Sequence, residues 1–374
     1  MGTVRFCLAM LVVYFHVRAA EHFGISLPDG RLAVQLFYVI SGFYMALILN
    51  EKYVAPSLNS TFYSNRFFRL WPPMLAVMAL VIVQFWVTGE VLLFRLTNTT
   101  DQFLTYVRAL DASALTYLFL TNVFVLGQDW IWFLRFDPST GVTWCPFTIC
   151  PSHNGASFLV NHPTFTIAIE ATYYLVSPLI LRRSLRWPLT LCALGLVYHV
   201  VAHVAGWNPV VWSYHFVGSA AFFYFLGACA YHGYVRFSGL QPAAPLRIVM
   251  VRIEPWGYLV ALGAALLVYK QGGAFDSLII ASLLALSIPL LFHRTRNVPL
   301  DRKVGDLSYG IYLVHYPLYL LLLENFGPVR GAVLTLLGVV PTALLLYLVV
   351  EAPIDRWRQR RVRSKTAAGS VRSA

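Results

Sequence analysis

The chain has 374 residues, 58% of them hydrophobic and only 12% charged, and its mean hydropathy is +0.65. A soluble globule carries about a quarter charged residues, so the composition excludes that class and indicates an integral membrane protein. The net charge of +12 does not signal nucleic-acid binding, which needs a basic face on a solvated domain; here the basic residues sit in short loops between apolar runs.

Apolar runs of roughly 17–25 residues, long enough to cross a bilayer, fall near 3–20, 32–50, 73–94, 163–181, 187–205, 212–234, 255–271, 275–293, 306–325 and 331–350. They predict an all-α polytopic membrane protein, with about ten transmembrane helices around a central cavity. A shorter apolar run at 114–126 suits an interfacial or re-entrant segment. If it does not span and the N-terminus is inside, about three quarters of the 28 basic residues fall in cytoplasmic loops and the tail. If it did span, the Arg182, Arg183 and Arg186 cluster and the basic tail would lie outside, against the positive-inside rule. Both termini are therefore expected in the cytoplasm.

The first run has no small-residue cleavage site, so no cleavable signal peptide is expected. Residues 1–356 read as one membrane-embedded domain with an exported loop at 95–162, and 357–374 as a basic, disordered tail near anionic lipid heads. On an oxidising outer face Cys145 and Cys150 in WCPFTICPS suit either a disulfide or two free thiols. Cys7, Cys192 and Cys229 read as packing residues.

The first helix carries Arg5 near its start and His16 near its end. That spacing is roughly three turns, so both side chains share one face about 16 Å apart. Ionisable groups in a membrane helix commonly mark a functional path, although a lone histidine also serves packing and a terminal arginine also anchors topology. In NRFFRLWPP, Arg66 and Arg69 are three apart and near the expected depth of Arg5. Three guanidiniums at one level make a phosphate site or, equally, a positive-inside anchor. His199 and His203 have the i,i+4 spacing of a metal pair but no evident third ligand, and no metal is expected.

Taken together, these residues resemble the membrane-bound acyltransferase family 3, acyl-CoA-dependent O-acyltransferases of bacterial surface polysaccharides. The family's Arg-x10-His matches Arg5 and His16. Its Phe-Phe-x-x-Ser-Gly-Phe matches Phe37, Tyr38, Ser41, Gly42 and Phe43, and its Arg-x-x-Arg-x-x-Pro matches Arg66, Arg69 and Pro72. Trp-Ser-Leu-x-x-Glu aligns with Phe165, Thr166, Ile167 and Glu170, the tryptophan being replaced. Ser-Tyr-x-x-Tyr-Leu-x-His matches Ser308, Tyr309, Tyr312, Leu313 and His315, and Glu-x-Pro matches Glu351 and Pro353.

The resemblance implies transfer of an acyl group, most often acetyl, from cytoplasmic acyl-CoA to a sugar hydroxyl of an exported or lipid-linked polysaccharide, in the bacterial cytoplasmic (inner) membrane. A pantetheine arm is roughly 15 Å long, like four or five extended residues. Phosphates on Arg5, Arg66 and Arg69 would therefore bring the thioester to His16, with both ends of the helix facing one hollow. Neutral His16 would act as general base, or less readily as an acyl carrier. Glu170 would contact the acceptor or orient His16, or simply pair with a nearby Arg or Tyr. Ser41, Tyr309 and His315 are expected to line the substrate side; Ser41 beside Gly42 also reads as a close helix approach, and Tyr309 and His315 as packing. The competing classes are a transporter or flippase of a glycan or lipid-linked intermediate, and a haem-ligating electron carrier.

Overall fold

The computed structural model describes residues 1–89, 100–151, 154–182, 184–239 and 275–371. The expected run at 255–271 and the basic residues Arg95, Arg183, Arg247, Arg252, Lys270 and Arg372 lie outside them. The described chain is a helix bundle. Its helices are α1 (Gly2–His16), α2 (Ala19–Phe23), α3 (Gly30–Glu51), α4 (Asn59–Thr88), α5 (Thr100–Ala109), α6 (Ala112–Phe124), α7 (Phe165–Ile180), α8 (Arg186–Val204) and α9 (Ala220–Gly239). After the undescribed stretch come α10 (Asp276–Thr295), α11 (Pro299–Phe326), α12 (Pro328–Leu346) and α13 (Ala352–Val371). The last runs through much of the tail expected to be disordered.

By length and composition, five described helical segments can cross a membrane: Gly30–Glu51, Pro56–Thr88, Arg186–Val204, Asp276–Thr295 and Pro328–Arg361. The helices at the other expected runs, α1, α7, α9 and α11, pack among them. At 15 and 16 residues, α1 and α7 are short.

α3 is the hub. It is apolar all round, and 78% of its best window is buried, against 22% for Pro328–Arg361; a helix without a polar face belongs inside. Asp29 caps it, accepting from Leu32 N at 2.9 Å. It crosses α9 through two glycines: a Cβ on Gly42 would sit 1.8 Å from the Tyr224 carbonyl oxygen, and one on Gly227 would sit 1.8 Å from that of Val39. Small residues let membrane helices touch backbone to backbone.

The start of α1 is fixed in the same way. A Cβ on Gly2 would overlap the Asp301 carbonyl, and one on Gly305 would sit 2.4 Å from Gly2 Cα. The Asp301 carboxylate then accepts from Gly2 N, Thr3 N and the Thr3 hydroxyl, each at 2.8 Å. Partial burial pushes its pKa up, but these donors outweigh burial and hold it at about 2, so the cap is charged at neutral pH. The N-terminus of α1, the α10–α11 turn and α13, whose Trp357 packs against Phe68 at 4.9 Å, share one end of the bundle.

The described residues between 100 and 164 cover the other end, and within an all-α architecture they carry one short hairpin. Leu134–Asp137 (β1) and Gly141–Trp144 (β2) form an antiparallel hairpin. Its turn closes because Asp137 accepts from Ser139 N at 2.9 Å and Gly141 takes φ +69°, a conformation suited to glycine. Just beyond it Cys145 and Cys150 form a disulfide. Leu118, Ile131, Phe136, Phe158 and Leu159 make a small core separate from that of the bundle.

The glycine crossing generates a test. Gly42→Val should lower the melting temperature of the detergent-purified protein by roughly 2–10 °C, from an overpacking cost of about 1–3 kcal/mol. Gly233→Ala, where the new Cβ meets only Pro289 Cγ at 3.8 Å, should leave it unchanged.

Candidate active site

A cavity of about 460 Å³ opens at the end of the bundle that holds the α1 N-terminus. Its mouth is lined by Thr295, Arg296 and Arg302, its middle by Arg5, Arg66, Arg69, Ser41, Glu170 and Tyr174, and its far end by Tyr38, Thr166 and Tyr312. Along α11 the lining runs from Asp301 to Tyr312, about 16 Å of helix.

The three arginines predicted to act together do face one space. None forms an ion pair among the described residues, and Arg66 Nε is buried without a hydrogen-bond partner. Arg69 differs from the other two: it also borders a small crevice shared with Asp306, Glu351 and Asp355, which offset its charge, Asp306 from the wall of the main cavity as well. Glu351 sits in a π-helical turn, Tyr347–Glu351, that ends the α12 segment. Arg66 lies over the Tyr174 ring, 5.9 Å from its centre. Glu170 Oε1 accepts from both Ser41 Oγ and Tyr174 OH. Tyr309 lines the cavity and donates to the Leu70 carbonyl at 2.7 Å, tying α11 to α4 just beyond Arg69.

His16 and His315 do not line this cavity, which corrects the shared-hollow expectation. They lie one side-chain layer further on, behind Tyr312, whose ring centre is 5.7 Å from that of His315. The Tyr312 hydroxyl is 2.5 Å from Thr166 Oγ1 and 2.9 Å from the Pro163 carbonyl oxygen, so it bridges α11 and α7 across the path. Glu170 Oε1 bonds Ser41 and Tyr174, and no hydrogen bond joins Glu170 to His16 among the described residues. Two groups meet His16 Nδ1: the Val12 carbonyl oxygen, and Nε2 of the fully buried His315.

The hydrogen bonds fix the tautomers. His16 Nδ1 is 2.9 Å from the Val12 carbonyl oxygen, and His315 Nδ1 is 2.7 Å from that of Tyr312. A carbonyl only accepts, so in the neutral rings each Nδ1 carries the hydrogen. His315 Nε2 then presents a lone pair to His16 Nδ1 at 3.3 Å, and His16 Nε2 is left unprotonated.

Several residues here were not singled out from sequence. Arg296 and Arg302 read only as topology anchors. His162 lies near Tyr316 (5.6 Å between ring centres), which in turn lies 5.5 Å from His16; no spacing signal links it to α1. Tyr174 carried a faint one, four residues after Glu170. The His199–His203 pair has a plainer use, because His199 Nε2 bonds the Ser219 carbonyl at 3.0 Å.

A cationic cavity and an imidazole with a free ring nitrogen, one layer apart in a membrane bundle, suit removal of a group from an anionic carrier. The acyltransferase domain family matches residues 2–351, and the chain belongs to that family, acyltransferase family 3. Nodulation protein 10 of Rhizobium leguminosarum bv. viciae is 24% identical over 340 residues, 87% of this chain and 82% of that one. No solved structure matches the chain. The protein is thus a membrane acyltransferase.

The histidine pair generates a second test. His315→Phe keeps the packing and removes the acceptor facing His16. It should lower kcat for acyl transfer roughly 10²-fold, within the 10²–10⁴ range of a positioned base, and leave KM for the donor unchanged. His315→Gln, whose amide oxygen can still accept, should fall between. A raised KM at unchanged kcat would assign His315 to substrate binding.

Proposed function

We propose that the protein transfers an acyl group, most often acetyl, from cytoplasmic acyl-CoA to a sugar hydroxyl of an exported or lipid-linked polysaccharide. In this reading it spans the bacterial inner membrane about ten times, with both termini and the cavity mouth cytoplasmic. The observation that carries it is the arginine set: Arg5 and Arg66, with Arg69 behind them, face one cavity with no ion-pair partner among the described residues. Unpaired charge in a low-dielectric interior is costly, and guanidiniums bind phosphate oxygens bidentately. A phosphorylated carrier answers that cost.

The dimensions agree. With its diphosphate on Arg5 and Arg66, a pantetheine arm of roughly 15 Å lies along the Asp301–Tyr312 wall and past Glu170, which orders Ser41 and Tyr174 beside it. Its thioester arrives at Tyr312. Displacing the Tyr312 ring from Thr166 and Pro163 opens the way to His16. There His16 Nε2 takes the proton of the acceptor hydroxyl as its oxygen bonds to the thioester carbonyl carbon. The carbon–sulfur bond breaks, and the CoA thiolate leaves with the proton from the imidazolium. The acceptor approaches from the opposite end, where the 100–164 segment covers the bundle.

Thiol release from acetyl-CoA by the purified protein in liposomes, with a glycan acceptor present, tests this reading. His16→Ala should lower the rate at least 10²-fold. Arg5→Ala should raise KM for acetyl-CoA roughly 10–100-fold, the loss of one charge-assisted contact, and change kcat less. Full activity in His16→Ala would overturn the reading, as would glycan movement without any thiol release.

A further inference from the structure

Arg296 and Arg302 are basic residues of the cavity lining outside the arginine set described above. Both stand at the mouth, Arg296 directly after α10 and Arg302 in the first turn of α11. Neither forms an ion pair among the described residues. Arg296 Nη1 donates to Tyr234 OH at 2.6 Å, and Arg302 Nη2 donates to the Arg296 carbonyl at 3.3 Å. The neighbouring carboxylate, Asp301, is committed to the α1 N-terminus. Two exposed guanidiniums are thus held next to each other by neutral groups and form no ion pair among the described residues, although Asp306, one turn beyond Arg302, lines the same cavity.

Their position relative to Arg5 matters. Thr3 bonds Asp301, and Arg5 lies half a turn further along α1, so the pair stands outside the level of Arg5. Beside it, Tyr44 and Phe292 line the cavity with their rings edge to face, 6.0 Å apart. A phosphate group beside a flat aromatic base fits guanidinium forks next to such rings.

We propose that Arg296 and Arg302 form a second phosphate subsite that holds the 3′-phosphate of the donor's nucleotide, with the adenine against Tyr44 and Phe292. This rests on the acyl-CoA reading and narrows it. A phosphopantetheine on a carrier protein has a single phosphate, which would stop at Arg5 and Arg66 and leave the mouth arginines empty. The donor is therefore a free 3′-phosphorylated nucleotide thioester, not an acylated carrier protein.

The test compares CoA with 3′-dephospho-CoA, by isothermal titration calorimetry on the full chain in phosphatidylcholine nanodiscs. The wild type should bind CoA at least tenfold more tightly, the least that one charge-assisted phosphate contact contributes. In the Arg296→Gln, Arg302→Gln double variant the ratio should fall to about one. Its affinity for 3′-dephospho-CoA should stay at the wild-type value, which also reports an intact cavity. Equal affinities in the wild type, or a ratio that survives the double substitution, overturns the subsite and leaves the acyl-CoA reading standing. If neither nucleotide binds, the acyl-CoA reading itself fails. A parallel series in phosphatidylglycerol nanodiscs separates the lipid alternative: substitutions that reduce retained phosphatidylglycerol in native mass spectra without changing the ratio assign these arginines to headgroups and overturn the proposal.

Discussion

Three guanidiniums that face one hollow in an apolar bundle, none of them in an ion pair among the described residues, are the condition on which the rest of this structure turns. Arg5 and Arg66 are in that position, and Arg69 is only partly relieved by the acidic crevice behind it. Even half-buried, as these three are, a charge drawn out of water without an ion pair is costly, a cost a stability-driven core avoids. The bundle meets it by leaving a hollow where the charges converge and by placing polar groups, Glu170, Ser41 and Tyr174, in the same lining, with Arg66 over the Tyr174 ring. The site is built for an anion with a long neutral arm.

Helix geometry keeps that hollow open. α3 and α9 are locked at backbone contact by Gly42 and Gly227, and α1 and α11 by Gly2 and Gly305. Contacts this close leave neither pair free to slide or collapse inward. α1 then acts as a ruler: its first turn is pinned to Asp301, and its last reaches His315. The arginine end and the histidine end are thereby held about 16 Å apart, whatever the surrounding helices do.

Much of this was legible in the residues. The 3.6-residue repeat put Arg5 and His16 on one face and Arg66 with Arg69 on another, and the apolar runs located most of the helices. The family motifs gathered Ser41, Glu170 and Tyr309 to the cavity. What stayed hidden depends on tertiary contact. That Glu170 bonds Ser41 and Tyr174 while His315 stands beside His16 follows from α7 and α11 packing at different depths, which no spacing along the chain encodes. The partition made by Tyr312, Thr166 and Pro163 joins residues far apart in sequence. The hairpin was masked by its shortness, four residues per strand, inside a loop read for its apolar content. Arg296 and Arg302 were hidden by their resemblance to ordinary topology anchors.

The partition is also what the account exposes most to test, because it requires one continuous route from arginines to histidine. An electron cryo-microscopy structure with a non-cleavable thioether analogue of acetyl-CoA would decide it. The account predicts diphosphate oxygens on Arg5 and Arg66, Tyr312 swung off Thr166, and the acyl end about 3–3.5 Å from His16 Nε2. An analogue that stops beside Glu170 with Tyr312 still closed, or that binds without touching Arg5 and Arg66, would contradict it.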